Sequence, residues 1–133
     1  MGDTRTRLIE AAQAVCGDFG LRDGFSAGSV GAALMTAGGK IYTGICIDLA
    51  CGLGFCAEVA AIAEMLKHRE THILSIVAVS DRVILPPCGR CRETITQVDA
   101  RNRDCRIIVA PDRDAALREL LPAPWLPDAQ GRP

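Results

Sequence analysis

Three consecutive stretches decide how this chain folds: Cys56-Ala57-Glu58-Val59-Ala60-Ala61-Ile62-Ala63-Glu64-Met65-Leu66-Lys67, then Ile73-Leu74-Ser75-Ile76-Val77-Ala78-Val79-Ser80, then Pro86-Pro87-Cys88-Gly89-Arg90-Cys91-Arg92-Glu93. In the first, Val59, Ile62, Ala63 and Leu66 recur at i, i+3, i+4 and i+7, which predicts a helix with that face turned inward. The second is a nearly continuous apolar run, the pattern of a strand buried on both faces. In the third, Pro86-Pro87 forbids helix before Cys88 and permits one to start there, with Thr94, Ile95 and Val98 continuing it.

Working outward, Arg106 to Ala110 reads as another short buried strand. Ala115 to Leu121 reads as a last helix, stopped by Pro122. Upstream, Val30 to Met35 and Ile41 to Ile47 read as two strands around the turn Ala37-Gly38-Gly39-Lys40. Asp48 to Phe55 is a loop. The stretch punctuated by Gly24, Gly28 and Gly31 also reads as a loop. Asp3 and Thr4 cap a first helix with Leu8, Ile9, Ala12 and Val15 on one face, ending near Gly17–Gly20. Residues 123–133, with three prolines and no pattern, read as a tail or arm. Strands alternating with helices in the second half imply parallel crossovers with helices on both sides of one sheet. The expected fold is a three-layer α/β/α domain with a mixed sheet, the hairpin supplying an antiparallel edge.

With 133 residues and 49% hydrophobic content, a single domain over residues 1–133 is expected. Such a domain buries roughly two-thirds of its unfolded surface. Fifteen basic against sixteen acidic residues leave no electrostatic footprint for long nucleic acid or an anionic membrane. Only five aromatics are present, so a stacking platform for single strands is excluded. No apolar stretch approaches the ~18 residues of a membrane span. Met1 to Glu10 has two arginines and no apolar core behind them, so no secretory signal is expected and the cytoplasm is the expected location. Seven cysteines, an odd number, spoil a fully paired disulfide scaffold and point to metal binding or catalysis.

Cys88 and Cys91 are three apart at a helix start, so both thiols can face one side. Cys56 starts another helix, and both helix N-termini meet at the same end of a parallel sheet. A helix N-terminus favours thiolate over thiol. Three thiolates converging there make a zinc site with three protein ligands and a fourth position open to water, whose pKa zinc lowers from ~16 to about 7. Glu58, in the same first turn as Cys56, is placed to take up that water's proton. Cys88-x-x-Cys91 alone would equally serve a thiol redox protein or half of a non-catalytic structural zinc site. Neither use requires Glu58. A closed site would need a fourth ligand from Cys51, Cys105, His68 or His72, and His68 lies about three helical turns from Cys56. Cys16, Cys46, Cys51 and Cys105 read as small hydrophobes rather than ligands. Arg90 and Arg92 are candidates to donate to the thiolates and temper the site's net negative charge.

Cys56-Ala57-Glu58 and Pro87-Cys88-Gly89-Arg90-Cys91-Arg92 resemble the paired motifs of the cytidine deaminase superfamily, in its small zinc-dependent pyrimidine nucleoside deaminase form. Val30-Gly31-Ala32-Ala33-Leu34 resembles that family's first strand. Arg118-Glu119-Leu120-Leu121-Pro122 resembles its C-terminal Glu-Leu-Leu-Pro, so the likeness runs from about Ser26 to Pro122. The resemblance implies one Zn²⁺ per chain on Cys56, Cys88 and Cys91. It implies hydrolytic deamination of cytidine or deoxycytidine, with Glu58 protonating N3 and then the leaving amine. It also implies a homotetramer with pockets completed by neighbouring subunits. The apolar residues spread around the helix from Ala57 agree with such packing.

The substrate pocket departs from the family. Where the family carries Asn-x-Glu for the ribose, this chain has Cys46-Ile47-Asp48, so Asp48 stands in for the glutamate and Cys46 replaces the asparagine. The base-packing aromatic aligns with Gly28, leaving Phe25 as the substitute within the chain and Phe55, Phe25 or Trp125 as candidates from a neighbour. Ala57 is expected against the base. Blasticidin-S deaminase resembles the chain in similar places, so another aminopyrimidine nucleoside is the alternative substrate.

Overall fold

The computed structural model describes residues 3–126. Helix α1 (Thr4–Val15) is capped by Asp3, whose carboxylate accepts from the Thr6 N–H. A two-residue strand β1 (Phe19–Gly20) and a short 3-10 turn (Arg22–Gly24) follow. Then come β2 (Ser26–Thr36), β3 (Ile41–Asp48), α2 (Ala57–Lys67), β4 (Ile73–Ser80), β5 (Val83–Leu85) and α3 (Gly89–Val98). After a second 3-10 turn (Ala100–Asp104), β6 (Arg106–Ala110), β7 (Arg113–Ala116) and the single turn α4 (Leu117–Leu120) end the described chain.

All seven strands form one mixed sheet. Strand β2 pairs antiparallel with β3 on one side and β4 on the other. Strand β4 pairs in parallel with β6, and β6 antiparallel with β7. Strand β5 folds back on the end of β4. Successive residues of the central strands alternate between two cores. Ala32, Leu34, Ile76, Ala78 and Ile107 face α2 and α3 through Ala61, Ile62, Met65 and Ile95. Ala33, Met35, Val77, Val79 and Ile108 face α1 through Leu8 and Ala12. The three-layer architecture with helices on both faces follows from that two-residue period. Because β3 and β4 both run against β2, they run the same way. Helix α2 follows β3, and α3 follows β4 after the three-residue return strand β5, so both helices start near the same end of the sheet.

Several expectations are corrected. The stretch around Gly28 and Gly31 is strand, not loop. Gly28, at φ 88°, sits where a Cβ would meet the Gly17 carbonyl, so the glycine marks close backbone approach inside β2. The inward face of α2 is Glu58, Ala61, Ile62 and Met65, while Leu66 is 37% exposed. The helix lies flush on β3 at Gly44, where an added Cβ would come within 2.7 Å of the Ala57 carbonyl oxygen, and this close seat sets its rotation. Val15 at the end of α1 is likewise exposed. The predicted helix from Ala115 is β7 plus one turn: Ala115 and Ala116 pair with Ile107 and Arg106, and sheet pairing overrides alanine's helical preference. The mixed sheet is as expected: β4 and β6 pair in parallel, and β3, the outer strand of the hairpin, pairs with β2 and supplies the antiparallel edge. Of the predicted tail, residues 123–126 are irregular and 127–133 lie outside the described residues.

Candidate active site

Cys56 and Cys88 are the N-cap residues of α2 and α3, and Cys91 lies in the first turn of α3. Both caps have extended backbone, which turns each side chain back over the start of its helix. The Cys88 sulfur stands 3.5 Å from that of Cys56 and 3.7 Å from that of Cys91. All three sulfurs lie within 4.8 Å of one another. Tetrahedral zinc with Zn–S bonds of about 2.3 Å sets sulfurs roughly 3.8 Å apart, so the trio fits that ion. Among the described residues no fourth His, Cys, Asp or Glu joins the group, which suits an ion that also takes a water. His68 stacks on Tyr42 and faces Glu64, away from the cluster.

Without metal, the three thiols differ. Burial pushes the Cys56 thiol up, aided by the neighbouring Cys88. Burial also raises Cys91, reinforced by the Glu58 charge. For Cys88 burial acts upward too, but the N–H groups of Cys91 and Arg90 at the start of α3 and the two neighbouring thiols together lower it. Glu58, 6% exposed, projects from the first turn of α2. Burial raises its carboxyl above the ordinary carboxylate range, partly offset by its own backbone N–H and the Cys91 thiol.

Cys56, Glu58 and Cys88 open on a cavity of about 480 Å³, with Cys91 fully buried beside them. One wall comes from the starts of α2 and α3 and the end of β5: Cys56, Ala57, Glu58, Leu85, Cys88 and Arg90. Another comes from the ends of β2 and β3: Ser29, Val30, Cys46 and Asp48. The loop from Leu49 to Phe55 borders it, closed by reciprocal 3.0 Å hydrogen bonds between Ile47 and Phe55. Asp48, Cys46 and Ala57 line the cavity, and so does the chain's own Phe55, the residue expected from a neighbouring subunit.

Phe25 does not line it. Its backbone closes the 3-10 turn before β2, bonding to Leu21 and Arg22. Trp125 is 78% exposed on the surface, its N–H bonded to Glu93. The two arginines do not donate to sulfur. Arg90 reaches the Gly54 carbonyl at 3.2 Å, and Arg92 spans the Pro87 and Leu120 carbonyls at 2.8 and 2.9 Å. Arg90 thus bonds a loop carbonyl, and Arg92 ties the carbonyl before α3 to the one at the end of α4. Ser29 and Val30 were not legible as site residues, because they reach the cavity only through an irregularity in the β2–β3 register.

A family model for the cytidine and deoxycytidylate deaminase zinc-binding region matches residues 4–105. A Dictyostelium discoideum protein named "Probable cytidine deaminase" is 34% identical over 100 residues, 70% of this chain and 65% of that protein. A Mycobacterium tuberculosis cytidine deaminase is 30% identical over 100 residues, 74% of this chain and 73% of the other. The crystal structure of cytidine deaminase from Mycobacterium tuberculosis superposes with a TM-score of 0.77 at 29% identity, over 92% of this chain and 97% of that one. With the matched region spanning Cys56, Glu58, Cys88 and Cys91, the chain belongs to the zinc-binding cytidine and deoxycytidylate deaminase family.

Proposed function

We propose that the protein hydrolyses the exocyclic amino group of a cytosine base on a free nucleoside, converting cytidine or deoxycytidine and water into uridine or deoxyuridine and ammonia. The observation that carries this reading is the clustering of three thiols, two of them lining one cavity together with a buried carboxylate. Cys56, Cys88 and Cys91 would hold the zinc, which would supply a Lewis acid that makes water nucleophilic near neutral pH. Glu58 would accept one proton from that water and deliver it to N3 of the base, then take the second from the hydroxyl added at C4 and pass it to the leaving amine, so that ammonia departs as the C4 carbonyl forms. Ala57 and the narrow seat beside it keep the base ring against Glu58. Asp48 receives the sugar, as an acceptor of its hydroxyl protons. Relatives named for cytidine match 70–74% of this chain at 30–34% identity, whereas a Bacillus cereus protein named blasticidin-S deaminase, 33% identical, matches 60% of it; the broader match favours cytidine.

The same reading extends to assembly and setting. The whole chain acts as one domain, in a homotetramer whose neighbours help close each pocket. Support comes from Leu49 and Leu53, 38% and 69% exposed on the loop bordering the cavity, and from exposed Ala63 and Leu66 on α2. Seven cysteines without a disulfide suit the reducing cytoplasm and nucleoside salvage there. Among the described residues no helix is long and apolar enough to cross a membrane. Ammonia release from cytidine, deoxycytidine and blasticidin S, run beside metal analysis, tests the reaction. Turnover of the two cytosine nucleosides with one zinc per chain is expected. Zinc without turnover of any of them would leave a binding protein instead. Light scattering at micromolar concentration tests the assembly, and full activity at the mass of one chain would refute it.

A further inference from the structure

The strand wall of the cavity carries a set of polar groups that proton transfer does not use. Between Ala27 and Gly31 the register of β2 slips against β3: Ala27 pairs with Ile47 and Gly31 with Ile45. The extra residues form a bulge, a feature that re-aims side chains beside sites. Gly28 supplies the positive φ at its start. The bulge turns the Val30 N–H onto the Cys46 sulfur at 3.3 Å and brings the Ser29 hydroxyl to 3.3 Å from the same atom. Cys46 Sγ also lies 3.7 Å from Asp48 Oδ2. Proton counting assigns every role. The Val30 N–H only donates, and an ionised carboxylate only accepts. The single S–H of Cys46 therefore goes to Asp48, and the Ser29 hydroxyl donates to the sulfur.

Cys46 is 6% exposed and its sulfur is already engaged by three partners. Asp48 is exposed at the end of β3, and no salt bridge among the described residues involves it. Besides Glu58 it is the one acid lining the cavity. Glu58 stands by the thiols, where the reacting carbon of the base must sit. The sugar is the part of a nucleoside that extends beyond, and it presents hydroxyl donors. We propose that Cys46 is a positioning residue: it donates its thiol proton to Asp48 and so holds that carboxylate to accept the secondary hydroxyls of the sugar, without touching the sugar itself. This rests on the nucleoside deaminase reading above.

The test compares wild type, Cys46→Ala and Cys46→Ser on cytidine and on dideoxycytidine, whose sugar lacks both secondary hydroxyls, with zinc content and Tm measured for each. Cys46→Ala is expected to raise KM for cytidine about tenfold with kcat within about twofold, and to leave KM for dideoxycytidine nearly unchanged. Cys46→Ser, which keeps a donor, is expected to stay within about threefold of wild type on both. In an Asp48→Asn background, Cys46→Ala is expected to add nothing further, because the two changes break one interaction. If Cys46→Ala proves unstable, Cys46→Val fills the space without a donor and reads the same quantities. Equal KM increases on both nucleosides, or additive effects of the two changes, would overturn the proposal. Absence of wild-type turnover on both nucleosides would overturn the deaminase reading itself, and the proposal with it.

Discussion

The helix wall and the strand wall of the cavity are built in different ways. On the helix wall, Cys56, Glu58, Cys88 and Cys91 are held by the first turns of α2 and α3, where backbone hydrogen bonding leaves each residue one place to be. Their reach depends on spacing within a turn and on two helices starting at the same end of the sheet. On the strand wall, Ser29, Val30, Cys46 and Asp48 depend on how β2 slips against β3. One wall is set by local geometry and suits invariant chemistry. The other is set by pairing between distant segments, and one residue of slippage changes what it recognises.

The comparison breaks most visibly through the metal. Cys88→Ala removes the sulfur shared by both close contacts, so bound zinc is expected to fall well below one equivalent and turnover to the background level. Cys105→Ala, whose thiol burial pushes up to about 12 and which lies outside the cluster, should keep its zinc. Equal zinc in the two variants, measured by elemental analysis, would reject the ligand assignment. Next in size is Glu58→Gln. The amide keeps the shape but cannot accept and return a proton, so kcat should drop about 10²–10⁴-fold with zinc and Tm retained. A variant with a tenth of wild-type kcat would show that another group moves the proton.

A third change strikes the seam between the walls. In Gly44→Ala the new methyl would meet the backbone of α2, 2.7 Å from the Ala57 carbonyl oxygen and 2.6 Å from the Ala60 Cβ. Backbone cannot swing aside, so α2 must move off β3, carrying Cys56 and Glu58 with it. A loss of roughly 1–3 kcal/mol in denaturant unfolding is expected, with faster zinc loss to a chelator. Unchanged stability would mean that α2 is seated less tightly than the structure shows. The smallest effect belongs to the strand wall: Asp48→Asn is expected to raise KM for cytidine roughly tenfold and leave kcat within about twofold. An equal fall in kcat would place Asp48 in the transition state rather than in sugar binding.

Legibility follows the same division. The Cys88–Cys91 pair and the Pro86-Pro87 stop could be read because an i, i+3 spacing after a helix break has one geometric meaning. Strands β4 and β6 could be read because strands buried on both faces leave unbroken apolar runs. Strand β7 could not, since Arg113–Ala116 has the composition of a helix start and becomes strand only by pairing with β6. The rotation of α2 was off by one position, because Ala60 and Ala63 are too small to mark a face and Gly44 decides the seat. The arginine contacts were equally hidden: which carbonyls need donors depends on where the loops run.

By itself, then, the sequence determined the layered α/β class, the three clustered cysteines with their neighbouring acid, and the end of the sheet at which they meet. These rest on residue spacing within single elements, where backbone hydrogen bonds leave little freedom. Only the tertiary structure decided the β2 bulge, the thiol between Val30 and Asp48, the carbonyl partners of Arg90 and Arg92, and the absence of Phe25 from the cavity. Each of these depends on register and packing between segments far apart in the chain, and the energies that select one register over another belong to the assembled sheet rather than to any one strand.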